Sequence, residues 1–312
     1  LQESSLEASK VGREKAYAWL KNKQLSDEVG DWQVRRPNLA GGGWAFQYEN
    51  PYYPDVDDTA VVAYAMATSG LEGMEESIHR ATRWIIGMQD QNGGYGAFDV
   101  DNTYYYLNEI PFADHGALLD PPTADVSARC VMLIAKVSQN HPEYLPAYKR
   151  CIDYLRKEQE ADGAWFGRWG SNYIYGTWSV LMALEQTEIT KDDVMYTKAI
   201  SWLKSVQHHD GGWGEDNQSY HDESIRGTYH SSTAVQTAWA VLALIAAGEI
   251  KSKAVSEGVA YLLKTQTATG LWNDTIHNAP GFPRVFYLKY HGYDKFFPLW
   301  ALARYRNELN TL

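Results

Sequence analysis

The sequence predicts an all-α protein whose helices alternate as inner and outer helices of a closed α/α toroid. Three observations support this fold class. A loose helix-and-turn repeat recurs along the chain, the stretches between its copies have apolar residues at three-four spacing, and no useful Val- or Ile-rich alternating run is present. The repeat length of roughly 50–70 residues fits one helix pair per copy.

In each copy of the repeat, a helical stretch ends in Gln, a glycine turn follows, and an aromatic residue comes next. The glycines supply tight turns that β-carbons would obstruct. We expect each Gln amide to tie back to the next turn while the ring caps the helix end. Five copies are present: Trp19…Gln24…Trp32, Trp84…Gln89…Tyr95, Tyr154…Gln159…Trp165, Trp202…Gln207…Trp213 and Tyr261…Gln266…Trp272.

Further helices are predicted between these copies, and several begin with residues that cap helices. Thr123 follows two prolines, and Thr233 follows two serines. The predicted stretches are 57–69, 123–138, 173–185, 233–247 and 296–308. An amphipathic helix over 1–23 ends in its own copy of the repeat, and no linker breaks the composition. We therefore expect one domain over 1–312 that starts at a structural boundary.

Composition limits the function classes. The chain has 312 residues, 45% of them hydrophobic, and a formal net charge of −11, which argues against nucleic acid as a partner. Cys130 and Cys151 are expected to be buried, reduced thiols of a cytoplasmic protein. No signal peptide and no apolar run near 18 residues is present. The 12 Trp, 22 Tyr and 8 Phe exceed what an ordinary helical core uses.

The densest acidic site is formed by Asp55, Asp57 and Asp58 at the start of a predicted helix. Helix capping explains one or two aspartates at this place, but not three beside an aromatic-rich loop. A calcium loop beginning at Asp55 would have Ala60 where glycine is needed and Met66 where the bidentate glutamate belongs. The segment that begins at Asp99 fails in the same way, so no metal is expected at either place.

Clustered carboxylates in a dry pocket cannot all ionise. Repulsion and desolvation raise one pKa by several units and leave a neutral acid able to donate a proton near pH 7. The helix N-terminus opposes this shift by favouring the anion. Protonation of an alkene needs this combination, because the conjugate base must be stabilised once the proton leaves.

The motif Asp55-Val56-Asp57-Asp58-Thr59-Ala60 resembles the DxDD proton-donor motif of squalene–hopene cyclases and other class II terpene cyclases. The glutamine–aromatic repeat resembles the QW motif of that family. Further segments match in order along nearly the whole chain: 94–102, 120–126, 167–170 and 281–283. The resemblance is to the C-terminal, DxDD-bearing half of bacterial triterpene cyclases. It implies an (α/α)6 barrel, a protonation-initiated isomerase and no cofactor.

Several site residues follow from the resemblance. Asp57 matches the proton donor, with Asp55 and Asp58 in support, and Asp125 matches a further pocket aspartate. Tyr175 matches a tyrosine thought to help return the proton to the acid. The rings expected to line the cavity or the loops around it are Phe46, Phe98, Trp169, Phe282, Phe286, Tyr290 and Tyr293.

The aromatic residues also suit the chemistry independently of the resemblance. A carbocation on an isoprenoid chain needs stabilisation without a nucleophile, and ring faces supply roughly 0.5–2 kcal/mol each. Core packing is the alternative role for each ring. The four-four-three spacing of Phe282, Phe286, Tyr290 and Tyr293 predicts that these four share one helical face.

Arg129 stands where squalene–hopene cyclases carry a histidine, four residues beyond the pocket aspartate. It has two alternative roles. One is an i,i+4 salt bridge with Asp125. The other is a hydrogen bond to the DxDD site, which would withdraw charge and make Asp57 a stronger acid.

The expected substrate is a hydrophobic isoprenoid, and three kinds of protein compete. The first is a free-standing cyclase of a short chain, farnesyl on an aromatic head, which would give a polycyclic meroterpenoid. The second is the C-terminal half of a squalene–hopene cyclase. The third is a non-cyclase toroid, either a prenyltransferase β subunit or a glycosidase. A prenyltransferase needs an Asp/Cys/His zinc site, and this sequence has no histidine that matches one. We expect a monomer or weak homodimer, with membrane-surface contact left open.

Overall fold

In a computed structural model of the chain, the structure describes residues 1–26, 28–47, 49–111 and 118–311. It divides into two compact units, Leu1–Lys157 and Glu158–Leu312. The described residues contain ten α-helices and two small antiparallel two-stranded sheets. The all-α prediction is therefore confirmed, and strands are as few as expected.

The first unit contains five helices: α1 (Glu7–Asn22), α2 (Val56–Ala67), α3 (Glu75–Gly87), α4 (Ala124–Ser138) and α5 (Leu145–Lys157). A hairpin of β1 (Trp44–Ala45) and β2 (Pro54–Asp55) leads directly into α2. Helix α2 packs on α4, α3 packs on α2, and α5 packs on α4. Most of α4 is buried, whereas α3 and α5, before and after it in the chain, bury one face each.

The second unit contains α6 (Tyr173–Leu184), α7 (Val194–Ser205), α8 (Ala234–Ala246), α9 (Lys253–Thr265) and α10 (Tyr293–Leu309). Helices α6 and α8 are buried along their whole length, and α8 packs on α6, α9 and α10. The hairpin of β3 (Ala279–Phe282) and β4 (Phe286–Leu288) precedes α10. Bounds were predicted from the sequence for α1, α2, α4, α6, α8 and α10, and they agree with the structure to within a few residues. The largest difference is six residues, at the start of α1.

In the repeat, the glutamine side chain links one helix pair to the next through hydrogen bonds. The side-chain amide of Gln89 donates to Gly93 O and to Ala147 O in the first turn of α5, both at 2.9 Å. Gln159 and Gln207 do the same with the glycine turn and with the first turns of α7 and α9. A β-carbon on Gly93 would lie 2.4 Å from a carbonyl oxygen of α5, so the turn needs glycine there. The predicted tie-back is confirmed.

The ring of the first copy was predicted wrongly. Gln24 donates to Gly42 O, two residues before Trp44, and the indole of Trp44 donates to Leu20 O at 2.7 Å. The indoles of Trp213 and Trp272 donate to the corresponding helix carbonyls. Trp44 therefore takes the place assigned to Trp32. A long loop separates Gln24 from its glycine in this copy, and Trp32 lies in that loop, packed edge-to-face on Trp84.

The helical face predicted for four aromatic residues is also wrong. Phe282 ends β3, Phe286 begins β4, Tyr290 lies in a loop, and Tyr293 is the first residue of α10. The physical reason is local: Gly281 and Pro283 interrupt a helix, and Arg284 at the hairpin turn has a positive φ of 71°. The rings of Phe282 and Phe286 are nevertheless in contact across the hairpin, with centroids 5.5 Å apart.

Candidate active site

The three clustered aspartates lie where β2 passes into α2. Asp55 is the N-cap of the helix, and its Oδ1 accepts a hydrogen bond of 3.0 Å from the backbone N–H of Asp58. Asp57 and Asp58 occupy the first helical turn. Acidic side chains are favourable at a helix N-terminus, and at the start of α2 this preference brings three carboxyl groups close together.

Burial dominates the ionisation of the cluster. The pKa of Asp57 is raised to about 6, mainly by burial; the guanidinium of Arg129 lowers it, and the charges of Asp125 and Asp58 raise it. Burial likewise raises the pKa of Asp58 to about 6. The pKa of Asp55 is raised well above its usual range, first by burial and then by its two neighbouring aspartates. Desolvation is thus the largest influence on all three carboxyl groups, and it favours their neutral form.

Arg129 reaches this cluster from α4. Its Nε lies 3.3 Å from Asp57 Oδ1, and the guanidinium is almost fully buried. Among the described residues, Asp57 Oδ1 has no aligned hydrogen bond, so we treat the contact as an ion pair. The structure therefore brings Arg129 to the DxDD site, which was one of its two predicted roles.

Asp125 and the first turn of α4 complete this group. Thr123 is the N-cap residue of α4, as predicted, but its hydroxyl donates to Asp125 Oδ1 at 2.6 Å instead of capping the helix. The same oxygen accepts the backbone N–H of Val126 at 3.1 Å. Asp125 is buried, and its charge acts on Asp57. The sequence-predicted acids Asp55, Asp57, Asp58 and Asp125 therefore lie together with Arg129.

Asp57 is not sealed off. Its side chain keeps 26% of its surface exposed, whereas Arg129 beside it keeps 9%. A proton donor needs both properties: a poorly solvated carboxyl group, and enough open surface for an alkene to approach. The geometry of this group can therefore deliver a proton and hold the resulting carboxylate beside a fixed cation.

Asp120 is a further organising residue, which the sequence analysis named only as part of a matching segment. Its carboxylate accepts the backbone N–H groups of Ala97, Phe98 and Asp99 at 3.1, 2.6 and 2.8 Å. Ala97 O in turn accepts the N–H of Val56, the first residue of α2, at 2.8 Å. Asp120 thus holds the loop that carries Phe98 against the start of the acid-bearing helix. An aspartate directly before two prolines was the available signal in the sequence.

The predicted ring residues of the first unit, Phe46 and Phe98, differ in exposure. Phe46 follows β1 and is 57% exposed, and Phe98 is half-buried in the loop held by Asp120. Their role toward a substrate stays a prediction.

In the second unit, Arg168 gathers two of the predicted rings. Its guanidinium carbon lies 4.1 Å from the ring centre of Trp169 and 5.8 Å from that of Phe282. Its two terminal nitrogens both lie 3.3 Å from Gly281 O, which joins the Trp169 loop to the β3–β4 hairpin. The sequence did not indicate this arginine as part of the site.

Tyr175 belongs to a buried aromatic cluster at the start of α6. Its ring centre lies 5.0 Å from that of Trp239 and 5.5 Å from that of Trp178. Tyr293 contacts Trp239 and Phe297 in the same unit, and Tyr290 contacts Tyr293. The structure thus connects Tyr293 and Tyr290 to the ring system of Tyr175.

Three further findings concern metals, cysteines and membranes. Within the described ranges, no three His, Cys, Asp or Glu side chains converge in a way that could hold a metal ion. Cys130 and Cys151 are both buried and free, as predicted. Over the same part of the chain, every helix is too short or too polar to cross a membrane.

Similar proteins of known family identify the family of this chain. Residues 1–307 match the family described as squalene-hopene cyclase C-terminal domain. The squalene–hopene cyclase of Zymomonas mobilis is 56% identical over 94% of this chain and 45% of its own length. That of Alicyclobacillus acidocaldarius is 44% identical over 95% of this chain and 47% of its own. The chain therefore spans about half the length of these curated relatives.

A solved structure shares the fold. The type II terpene cyclase MstE from Scytonema is similar with a TM-score of 0.66 and 17% identity, over 99% of this chain and 85% of that one. At this identity the likeness concerns the fold alone, and it agrees with the predicted α/α barrel class. The family match covers the acid cluster, the repeat and both hairpins, and on that basis the chain belongs to the squalene–hopene cyclase C-terminal domain family of class II terpene cyclases.

Proposed function

We propose that this chain carries the acid of a class II terpene cyclase, an isomerase that protonates a terminal isoprenoid alkene and closes the resulting cation into fused rings. One observation carries the proposal. Asp57 has a pKa raised to about 6 by burial, keeps part of its side chain open, and lies 3.3 Å from the Arg129 guanidinium. The relatives named squalene–hopene cyclase support the same reaction class.

The proposed first step is a proton transfer. The π electrons of the terminal double bond form a C–H bond with the Asp57 proton, and the O–H bonding pair stays on the carboxylate. The alkene becomes a tertiary cation. Arg129 and the N-terminus of α2 both stabilise the new carboxylate, which lowers the barrier because these groups are in place before the proton leaves.

Ring closure then follows from the folding of the chain of double bonds. Each neighbouring alkene attacks the cation, so positive charge moves along the substrate while no atom is gained or lost. The expected cation-stabilising faces are the rings of Phe46, Phe98, Trp169, Phe282, Phe286, Tyr290 and Tyr293. Loss of a proton can end the sequence, with Tyr175 proposed to help return it to the acid.

Squalene is the first candidate substrate. The chain is 56% and 55% identical to squalene–hopene cyclases of Zymomonas mobilis and Bradyrhizobium diazoefficiens. Because the chain matches less than half of each relative, the substrate expected first from the sequence, a farnesylated phenol, is kept as the second candidate. MstE, which shares the fold and has been solved with geranylgeranyl dihydroxybenzoate as its substrate, supports that candidate. Both candidates are hydrophobic, and we propose contact with a membrane surface as their route of supply.

The test incubates the purified chain with squalene and, in parallel, with a farnesylated phenol, followed by product analysis. The Asp57→Asn variant keeps the shape of the side chain but has no acidic proton, so turnover should fall by at least about 10²–10⁴-fold. Asp153→Asn, on the exposed side of α5, is the matched control and should keep full turnover. Undiminished turnover by the Asp57→Asn variant would overturn the assignment of the acid.

A further inference from the structure

Arg168 lies beside two of the rings that are expected to face the substrate. The central carbon of its guanidinium is 4.1 Å from the ring centre of Trp169 and 5.8 Å from that of Phe282. Both distances are within about 6 Å, the range in which a cation over a ring face is attracted by the π electrons. The guanidinium therefore already draws on the electron density of both rings before a substrate binds.

The segment that carries Arg168 and Trp169 is held by its backbone. The hydroxyl oxygen of the buried Tyr220 lies 2.7 Å from Gly167 O and 2.8 Å from Gly170 O. These two carbonyl groups come directly before and directly after the Arg168-Trp169 pair. Both side chains therefore start from a backbone that is fixed on each side.

The guanidinium of Arg168 is anchored to the β3–β4 hairpin by an uncharged group. Its two terminal nitrogens each lie 3.3 Å from Gly281 O in β3. A carbonyl oxygen carries no net charge, so this contact holds the guanidinium in place without neutralising it. Arg168 is also half-buried, and solvent ions screen its charge less than they would screen that of an exposed arginine.

A second cation beside either ring would meet repulsion as well as attraction. On the far face of Trp169, a carbocation would be roughly 8–10 Å from the guanidinium, since each cation lies about 4–6 Å from the ring centre. At an effective dielectric constant of about 20, this repulsion weakens binding of the second cation by about tenfold or more. A ring already in contact with a guanidinium is thus a poor place for positive charge to remain.

We infer that Arg168 is a positioning residue that disfavours positive charge beside Trp169 and Phe282 while the rings of the product form. During the proposed cyclisation, on which this inference rests, Trp169 and Phe282 then serve mainly as walls that shape the folded chain. The segment also packs against Tyr175, because a β-carbon on Gly170 would lie 2.4 Å from that ring. The carbocation therefore passes this place and does not lose its proton there early.

Binding of charged analogues tests the inference without depending on turnover. In each amine probe, a protonated tertiary nitrogen replaces one of the branched carbons of a farnesyl-length chain. The neutral probe is the hydrocarbon of the same shape. Arg168→Met removes the charge and keeps the length of the side chain. At one nitrogen position this variant should bind the amine about tenfold more tightly than the unchanged chain does, while affinity for the hydrocarbon changes less than about twofold.

Further variants separate the charge of Arg168 from its packing. Arg168→Lys keeps a positive charge and should keep the amine-to-hydrocarbon affinity ratio of the unchanged chain. Arg168→Gln keeps a donor for Gly281 O without the charge and should behave like the Met variant. Arg226→Met is the matched control, because Arg226 also lies over a ring, 4.6 Å from the ring centre of Tyr173, which is not one of the expected substrate rings. Thermal melting checks that each variant is folded.

Product analysis with squalene is the second readout. The share of incompletely cyclised alkenes should rise several-fold in the Met and Gln variants, because a cation that remains longer beside Trp169 loses its proton there more often. The inference is overturned by an unchanged product distribution, by an affinity ratio that is equal in the Met, Gln and unchanged chains, or by absence of amine binding. A Lys variant that changes the ratio as much as the Met variant would also overturn it, since packing would then be the cause.

Failure of the proposed function gives a different result. In that case the Asp57→Asn variant keeps full turnover, or neither substrate is cyclised, while the affinity ratios of the Arg168 variants still differ as expected.

Discussion

Arg129 Nε lies 3.3 Å from Asp57 Oδ1, which pairs the only arginine of α4 with the middle aspartate of the DxDD motif. The pair opposes desolvation: burial raises the pKa of Asp57, and the guanidinium lowers it. An acid with this pKa is mostly protonated in mildly acidic solution, and its conjugate base is stabilised by a cation already in place. This compromise makes the strength of the acid adjustable through a single neighbour.

Replacement of Arg129 by Met tests that adjustment. Without the guanidinium the pKa of Asp57 should rise above about 6, so the protonated fraction at pH 7 increases while the acid becomes weaker. We expect turnover to fall at least tenfold and the alkaline limb of the pH–rate profile to move to higher pH. Arg129→His keeps a side chain that can donate a hydrogen bond and carry a positive charge, so it should recover part of the rate. An unchanged pH–rate profile in the Met variant would mean that Arg129 forms a structural ion pair with Asp57 and does not adjust its acidity.

The pH dependence of stability follows from the same carboxyl groups. Asp57 and Asp58 have folded pKa values of about 6 and Asp90 of about 7, all raised mainly by burial from 3.8. Between pH 4 and pH 7 the folded state therefore binds more protons than the unfolded state. Stability should fall as pH rises through this window, with no further loss from these groups above it.

Thermal melting measured at pH 5 and pH 7.5 checks the sign, and the melting temperature should be higher at pH 5. Asp90→Asn removes one of the raised groups without touching the acid cluster, so the difference between the two pH values should shrink in that variant. A melting temperature that rises from pH 5 to pH 7.5 would contradict the prediction.

The glutamine bridges predict a graded effect on stability. Gln89 is buried, and its amide donates to two carbonyl groups while its oxygen accepts from Arg150. Gln89→Leu leaves those groups unpaired and should lower the free energy of unfolding by about 2–4 kcal/mol. Gln266→Leu breaks one exposed bond and should cost less than about 1 kcal/mol. Urea unfolding of both variants measures the two losses. Equal losses would show that the buried hydrogen bonds of Gln89 stabilise the fold no more than the exposed hydrogen bond of Gln266.

Independence from metal ions stays a prediction from the sequence. Excess EDTA should leave the rate unchanged, because protonation by a carboxyl group needs no metal. A loss of rate that Mg²⁺ restores would indicate that ionisation of a diphosphate starts the reaction instead. Incubation of the EDTA-treated protein with added Ca²⁺ and Mg²⁺ in separate arms distinguishes the two ions.

Short-range patterns in the sequence predicted the ten helices and the acid cluster. Three-four spacing needs only one helix, and three aspartates within four residues are close whatever the rest of the chain does. The first ring of the repeat was misassigned because a loop of variable length separates Gln24 from Gly42. Spacing alone could not show that Trp44, and not Trp32, reaches Leu20 O.

Contacts between distant segments were the other limit. The partner of Arg129 could have been Asp125 on its own helix or Asp57 on another, and only the packing of α2 on α4 brings the second pair together. The aromatic residues near the end of the chain had helical spacing, but Gly281 and Pro283 fold them into a hairpin. Arg168 joins Trp169 to that hairpin across 113 residues, which no local pattern indicates.

The glutamine bridges also bear on how the chain folds. The side-chain amides of Gln24, Gln89, Gln159 and Gln207 each bind a helix carbonyl only 36–58 positions further along the chain, in the next helix pair. Such short loops lose little chain entropy on closure, so a pair can form beside a neighbour that has already formed without waiting for distant segments. Folding should then spread along the chain in steps. A nascent chain leaving the ribosome could complete one pair before the next has been synthesised, which limits the time that its Trp- and Tyr-rich helices spend exposed to other chains.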